Sequence, residues 1–128
     1  MNEEEFKRRT KGLALRTIKL VTEMNEQSKI ENPKSKMVAE VLGKQLLRSS
    51  TSVGANYRAV CRSKSTADLI NKLRIVEEEA DESMYWLELI GESNIISPER
   101  LTELLADFDE IVSMVVASQK TLRNRASG

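Results

Sequence analysis

The densest run of chemically capable side chains lies between Glu77 and Glu88, where Glu77, Glu78, Glu79, Asp81, Glu82 and Glu88 crowd one stretch of chain. Carboxylates on the facing helices of a bundle are the donors of di-iron and di-manganese sites. Such sites also take two Glu-x-x-His pairs, and this chain has no histidine, so no metal is expected. The run Ser49-Ser50-Thr51-Ser52 offers hydroxyls without a partner His, a nucleophile elbow or a phosphate-loop pattern. These hydroxyls are expected to pack or to bond back to helix carbonyls. Cys61 is the single cysteine and has neither a disulfide partner nor an activating imidazole; it reads as a small residue near a helix end. Gly12, Gly43, Gly54 and Gly91 stand alone within helical patterns, so no nucleotide fingerprint is present. The expectation is a protein with no catalytic residues and no cofactor.

A different chemistry is carried by cations. Residues 1–74 hold 16 Lys and Arg against 8 Asp and Glu, net +8, whereas residues 75–128 hold 4 against 12, net −8; the whole chain is neutral with 20 of each. A chain so polarised can pair its halves internally, pair basic with acidic faces of neighbouring copies, or present its basic half to phosphates. Lys44, Arg48, Thr51, Ala55, Arg58 and Arg62 recur four and three apart, forming one outward face of a helix that is basic at its ends and small in the middle. Guanidinium groups there suit bidentate contacts with carboxylates or phosphates, and the small side chains between them suit close approach of another backbone.

The elements that must position these groups are helices. Five Gly, two Pro, 4% aromatic residues and 31% charged residues favour long helices over turn-rich sheets, and 128 residues suit one domain. Four helices are predicted, over about 3–28, 33–61, 66–92 and 98–123. Asn32-Pro33, Ser65 with Asp68, and Ser97-Pro98-Glu99 mark the starts of the last three. The inner stripes read Phe6, Leu13, Ile18, Leu20, Val21, Met24; Val38, Leu42, Leu46, Ser49, Val53, Asn56, Tyr57, Val60; Leu69, Leu73, Val76, Ala80, Ser83, Leu87, Ile90; and Leu101, Leu104, Phe108, Ile111, Val115, Leu122. Similar lengths and short connections predict an all-α, antiparallel up-down-up-down four-helix bundle, with 124–128 frayed. Helix 3 carries further apolar groups at Ile75, Trp86 and Leu89, an arc wide enough for self-association. The longest apolar stretch, Ile111 to Ala117, is interrupted by Ser113 and far shorter than the roughly 20 residues of a membrane span. Met1 to Lys7 is acidic and then basic with no apolar run behind it, so a cytoplasmic protein is expected.

Three segments carry a family resemblance: Gln45 to Ala59 (Gln-Leu-Leu-Arg-Ser-Ser-Thr-Ser-Val-Gly-Ala-Asn-Tyr-Arg-Ala), Ser65 to Leu73 (Ser-Thr-Ala-Asp-Leu-Ile-Asn-Lys-Leu) and Glu79 to Leu89 (Glu-Ala-Asp-Glu-Ser-Met-Tyr-Trp-Leu-Glu-Leu). They resemble the bacterial four-helix-bundle proteins encoded in 23S rRNA intervening sequences. The resemblance implies a homopentameric ring and no established enzymatic activity. Relatives include the accessory variability determinant proteins of diversity-generating retroelements, strongly basic partners of a reverse transcriptase and nucleic acid; this chain differs in its neutral charge and pI near 6.4. The family signature, Arg48 through Asn56, coincides with the small-residue region.

The resulting expectation is a homo-oligomer that meets RNA or a nucleoprotein through Arg8, Arg9, Arg16, Lys44, Arg48, Arg58 and Arg62, binding phosphates without reading bases. Ser49, Ser52, Gly54, Ala55, Asn56 and Trp86 are expected to pack or to form the assembly contact, with the Asn56 amide on the inner stripe. The alternative is a protein-only scaffold in which basic faces meet acidic helices of neighbouring subunits.

Overall fold

The computed structural model describes the backbone of residues 2–31 and 33–127 and the side chains of 2–26 and 35–126. Four helices, α1 (Glu3–Glu31), α2 (Pro33–Val60), α3 (Thr66–Glu92) and α4 (Pro98–Ser127), make up the chain, and no strand occurs among the described residues. Their starts follow from local chemistry. The Asn2 side chain accepts the Glu5 N–H at 2.8 Å, and three acids occupy the first turn of α1, where the helix dipole favours them. Pro33 and Pro98 open α2 and α4, positions at which a missing N–H is no loss. Asn32, expected as a cap, lies outside the described residues.

At the start of α3, Ser65 Oγ accepts the Asp68 N–H at 3.1 Å while Asp68 accepts the Lys64 N–H at 3.1 Å, a reciprocal pair displaced by one residue from the usual capping box. Lys72 joins the same carboxylate at 2.9 Å, and these contacts hold Asp68 below the ordinary carboxylate range. Ser65→Ala is expected to lower stability by about 1 kcal/mol, read as a shift of the urea midpoint. Helix α3 ends in a Schellman motif. Ile95 donates to the Ile90 carbonyl and Asn94 to that of Gly91, with Asn94 at φ 60, a left-handed conformation that asparagine tolerates better than most residues.

Helix α1 packs along α2, α2 along α3 and α3 along α4, while α1 and α4 meet more sparingly. Gly43 and Gly54 permit the α1–α2 approach. A Cβ on Gly43 would stand 3.0 Å from Val21 Cγ1, and one on Gly54 would stand 3.3 Å from Thr10 Oγ1. Between α1 and α4 the sparse packing is supplemented by ion pairs: Arg9 with Glu110 at 3.0 Å, Arg16 with Asp107 at 2.5 Å, and Glu23 with Arg100. Leu46, Val53, Val76, Ala80, Leu87, Ile90, Phe108 and Ile111 are wholly buried between the helices.

Two inner-stripe expectations are corrected. Ile18 and Val38 are 44% and 41% exposed, and the inward positions beside them belong to Thr17 and Ala39. Thr10 and Thr17 are buried without penalty because their hydroxyls donate to the carbonyls of Phe6 and Leu13 one turn earlier. Asn56 is half-buried, and its amide donates to the Ser52 carbonyl of its own helix at 2.8 Å. Helix α4 continues past Arg123 to Ser127, so the stretch expected to fray is helical as far as it is described, and α1 runs on to Glu31.

Candidate nucleic-acid interface

Lys7, Lys11 and Ala14 recur four and three apart on α1, and Thr51, Gly54, Ala55 and Arg58 share a face of α2. The two faces border a surface groove of about 410 Å³, completed by Glu4 and Arg8. The floor of Ala14, Gly54 and Ala55 offers no polar side chain. Thr51 adds a hydroxyl whose proton is already directed at the carbonyls of Leu47, at 2.6 Å, and Arg48, at 3.3 Å. The rim carries four cations, Lys7, Arg8 and Lys11 from α1 and Arg58 from α2, and one acid, Glu4. Lys7 lies 3.6 Å from Glu3 and 3.5 Å from Glu4. Among the described residues no carboxylate lies within ion-pair distance of Arg8, Lys11, Arg58, Lys44 or Arg62, all of them exposed.

The cations singled out from sequence thus divide in two. Arg8 and Arg58 meet at the groove; Lys44 is exposed on α2, whereas α2 ends at Val60, so Arg62 sits exposed in the turn that follows and not on the helix face expected for it. Arg9, Arg16 and Arg48 are engaged within the chain. The Arg9 guanidinium is held above its ordinary range chiefly by its hydrogen bond to Glu110. Arg48 leans toward α3, where it pairs with Glu82 and, at 3.5 Å, with Glu79. Lys7, Lys11 and Ala14 were missed by the sequence reading, although their spacing on α1 marked a face of that helix.

The small-residue motif is likewise divided by the fold. Ser49 is wholly buried and shares a 2.8 Å hydrogen bond with Ser83 of α3. The Ser52 hydroxyl donates to the Arg48 carbonyl, and Gly54 and Ala55 reach the groove. Trp86 belongs to a separate patch on α3, where its indole N–H donates to Glu82 at 3.3 Å and its ring meets Tyr85 edge-on at 5.2 Å. Burial raises Glu79 above the ordinary carboxylate range; Glu82 pushes the same way and Arg48 opposes. The folded state therefore binds this proton more tightly than the unfolded chain, so ionised Glu79 destabilises the fold at neutral pH. Glu79→Gln is expected to raise the urea midpoint at about pH 7, with the gain shrinking toward about pH 4 as the parent carboxylate takes up its proton.

At the end of the molecule where Phe6 and Tyr57 stack, an apolar recess of about 530 Å³ opens beside Leu69, Leu73 and Leu122. Burial pushes the Tyr57 phenol up to about 12 and also raises the Cys61 thiol, so neither group is an anion at neutral pH. Among the described residues no three His, Cys, Asp or Glu side chains are grouped to hold a metal, and no helix is long and apolar enough to cross a membrane.

No curated protein matches the chain. A solved structure does: a protein of unknown function from the S23 ribosomal protein family of Bacteroides thetaiotaomicron, 33% identical, with a TM-score of 0.80 over 94% of this chain and 99% of that one. The family model for the 23S rRNA-intervening sequence protein matches residues 8–117, a span that takes in the greater part of all four helices. With the fold and most of the length accounted for in this way, the chain belongs to the family of 23S rRNA-intervening sequence proteins.

Proposed function

We propose that this protein is a non-enzymatic, cytoplasmic homo-oligomer that meets RNA, or an RNA-containing particle, through the basic α1–α2 face. The observation that carries this reading is the groove itself, where, among the described residues, no carboxylate lies within ion-pair distance of Arg8, Lys11 or Arg58. Three such cations attract a polyanion, and binding releases the ions condensed on it. The up-down-up-down topology is supported by crossed pairs: Thr10 opposite Gly54 and Val21 opposite Gly43 on α1 and α2, Ser49 with Ser83 on α2 and α3, Glu77 with Gln119 on α3 and α4. A pentameric ring is the assembly that the family resemblance implies.

A protein-only scaffold is the second reading, favoured by apolar side chains on the outer faces of α1 and α2. Leu15, Met37 and Val41 are each more than half exposed. The test is a titration of the sized oligomer with structured RNA across a salt series. Micromolar or tighter affinity that collapses between roughly 50 and 200 mM salt supports the phosphate reading; no affinity at low salt leaves the scaffold.

A further inference from the structure

Resting on the RNA reading above, we infer that the groove is built for base-paired RNA and discriminates against unpaired strands. Proteins that hold single strands combine a cationic track with aromatic rings on which bases stack. All five aromatic residues of this chain are placed elsewhere. Phe108 is wholly buried, Phe6 is buried against Tyr57 at a centroid distance of 4.3 Å, and Tyr85 pairs with Trp86 on α3, which takes no part in the groove. The floor between the cations is Ala14, Gly54 and Ala55, and the Thr51 hydroxyl proton is spent on its own helix. The groove therefore holds no aromatic ring to stack a base, and its unengaged side-chain donors are the cations themselves.

What remains is charge on a rigid frame. Cations stand on both helices, whose axes in such packing lie about 8–10 Å apart. On α2 the exposed Lys44 and Arg58 stand roughly 21 Å apart along the axis at 1.5 Å per residue. A duplex presents about twice the phosphate density of a single strand and keeps it on a stiff surface. Cations carried on a rigid helical frame meet that lattice at the cost of ordering their own side chains, whereas a flexible strand must in addition be straightened with no aromatic stacking in return.

The experiment uses the whole oligomer and two probes with equal numbers of phosphates, a random-sequence RNA duplex of about 20 base pairs and a uridine homopolymer of about 40 nucleotides, the lengths being chosen to exceed the span of these cations. The duplex is expected to bind at least tenfold more tightly, and Lys11→Gln with Arg58→Gln to abolish that preference while far-UV helicity stays unchanged. Equal or tighter binding of the homopolymer overturns the inference and leaves the RNA reading standing. A duplex preference that survives in the double variant removes the groove as its origin and overturns the inference as well. Failure of the parent protein to bind either probe removes the RNA reading itself.

Discussion

Phe108→Ala is expected to destabilise the protein by roughly 3–5 kcal/mol, the largest effect on stability predicted for any single substitution here. The Phe108 ring has no solvent exposure and is the largest of the wholly buried side chains. Its removal forfeits the transfer free energy of the ring and leaves a void that the surrounding helices fill only in part. Small domains have about 5–15 kcal/mol in hand, so the variant should sit near the edge of folding at physiological temperature. Urea unfolding checks it: the midpoint should fall steeply with little change in slope. Val116→Ala on the same helix is the control. That side chain is 43% exposed, and its truncation should move stability by no more than about 0.5 kcal/mol. A Phe108 variant as stable as the Val116 variant would mean that the core is not organised around this ring.

Charge reversal at Lys11 and Arg58 carries the largest expected functional effect. In Lys11→Glu with Arg58→Glu, two cations at the groove become anions, a change of four charge units beside Glu4. RNA affinity at about 100 mM salt should fall by at least about 100-fold. The slope of log affinity against log salt should flatten by close to 2, because each phosphate that is no longer neutralised takes nearly one unit off it. Neither side chain has an ion-pair partner among the described residues, so the melting temperature and oligomer size should not move. The same reversal at Arg16 should behave oppositely. It breaks the pair with Asp107 and sets two acids against each other between α1 and α4, with a smaller fall in RNA affinity than the groove pair gives. If the Arg16 variant lost RNA binding as fully as the groove variant, the groove would not be the binding surface.

The contrast between Arg58 and Arg16 shows where reading the sequence stops. Both are exposed arginines on a basic half, and nothing in their local sequence separates them. Helix starts are another matter: Pro33, Pro98 and the Ser65–Asp68 pair satisfy or dispense with backbone groups within a single turn, so composition and spacing alone determine them. The seam of α3, from Leu73 through Ile90, was equally legible, because apolar residues four and three apart mark one face whatever that face meets. The family was legible too, since its motifs are contiguous in α2 and α3.

The inner faces of α1 and α2 were read less well. Hydropathy favours Ile18 over Thr17 and Val38 over Ala39, but helix rotation is set by the whole face, and a threonine that bonds its own backbone is an acceptable core residue. Whether a cation is spent or available depends on which carboxylates the partner helices bring to it: Asp107 and Glu110 to α1, Glu79 and Glu82 to Arg48, and, among the described residues, none within ion-pair distance of Arg8, Lys11 or Arg58. The groove exists only between two helices, one contributing lysines and the other a glycine small enough to let them approach. The sequence by itself determined the helices, the Ser65–Asp68 cap and the polarity of charge, which are local or additive properties. Tertiary structure alone decided which charges cancel and which face outward together, because that depends on residues some 30 to 100 positions apart meeting across a helix interface.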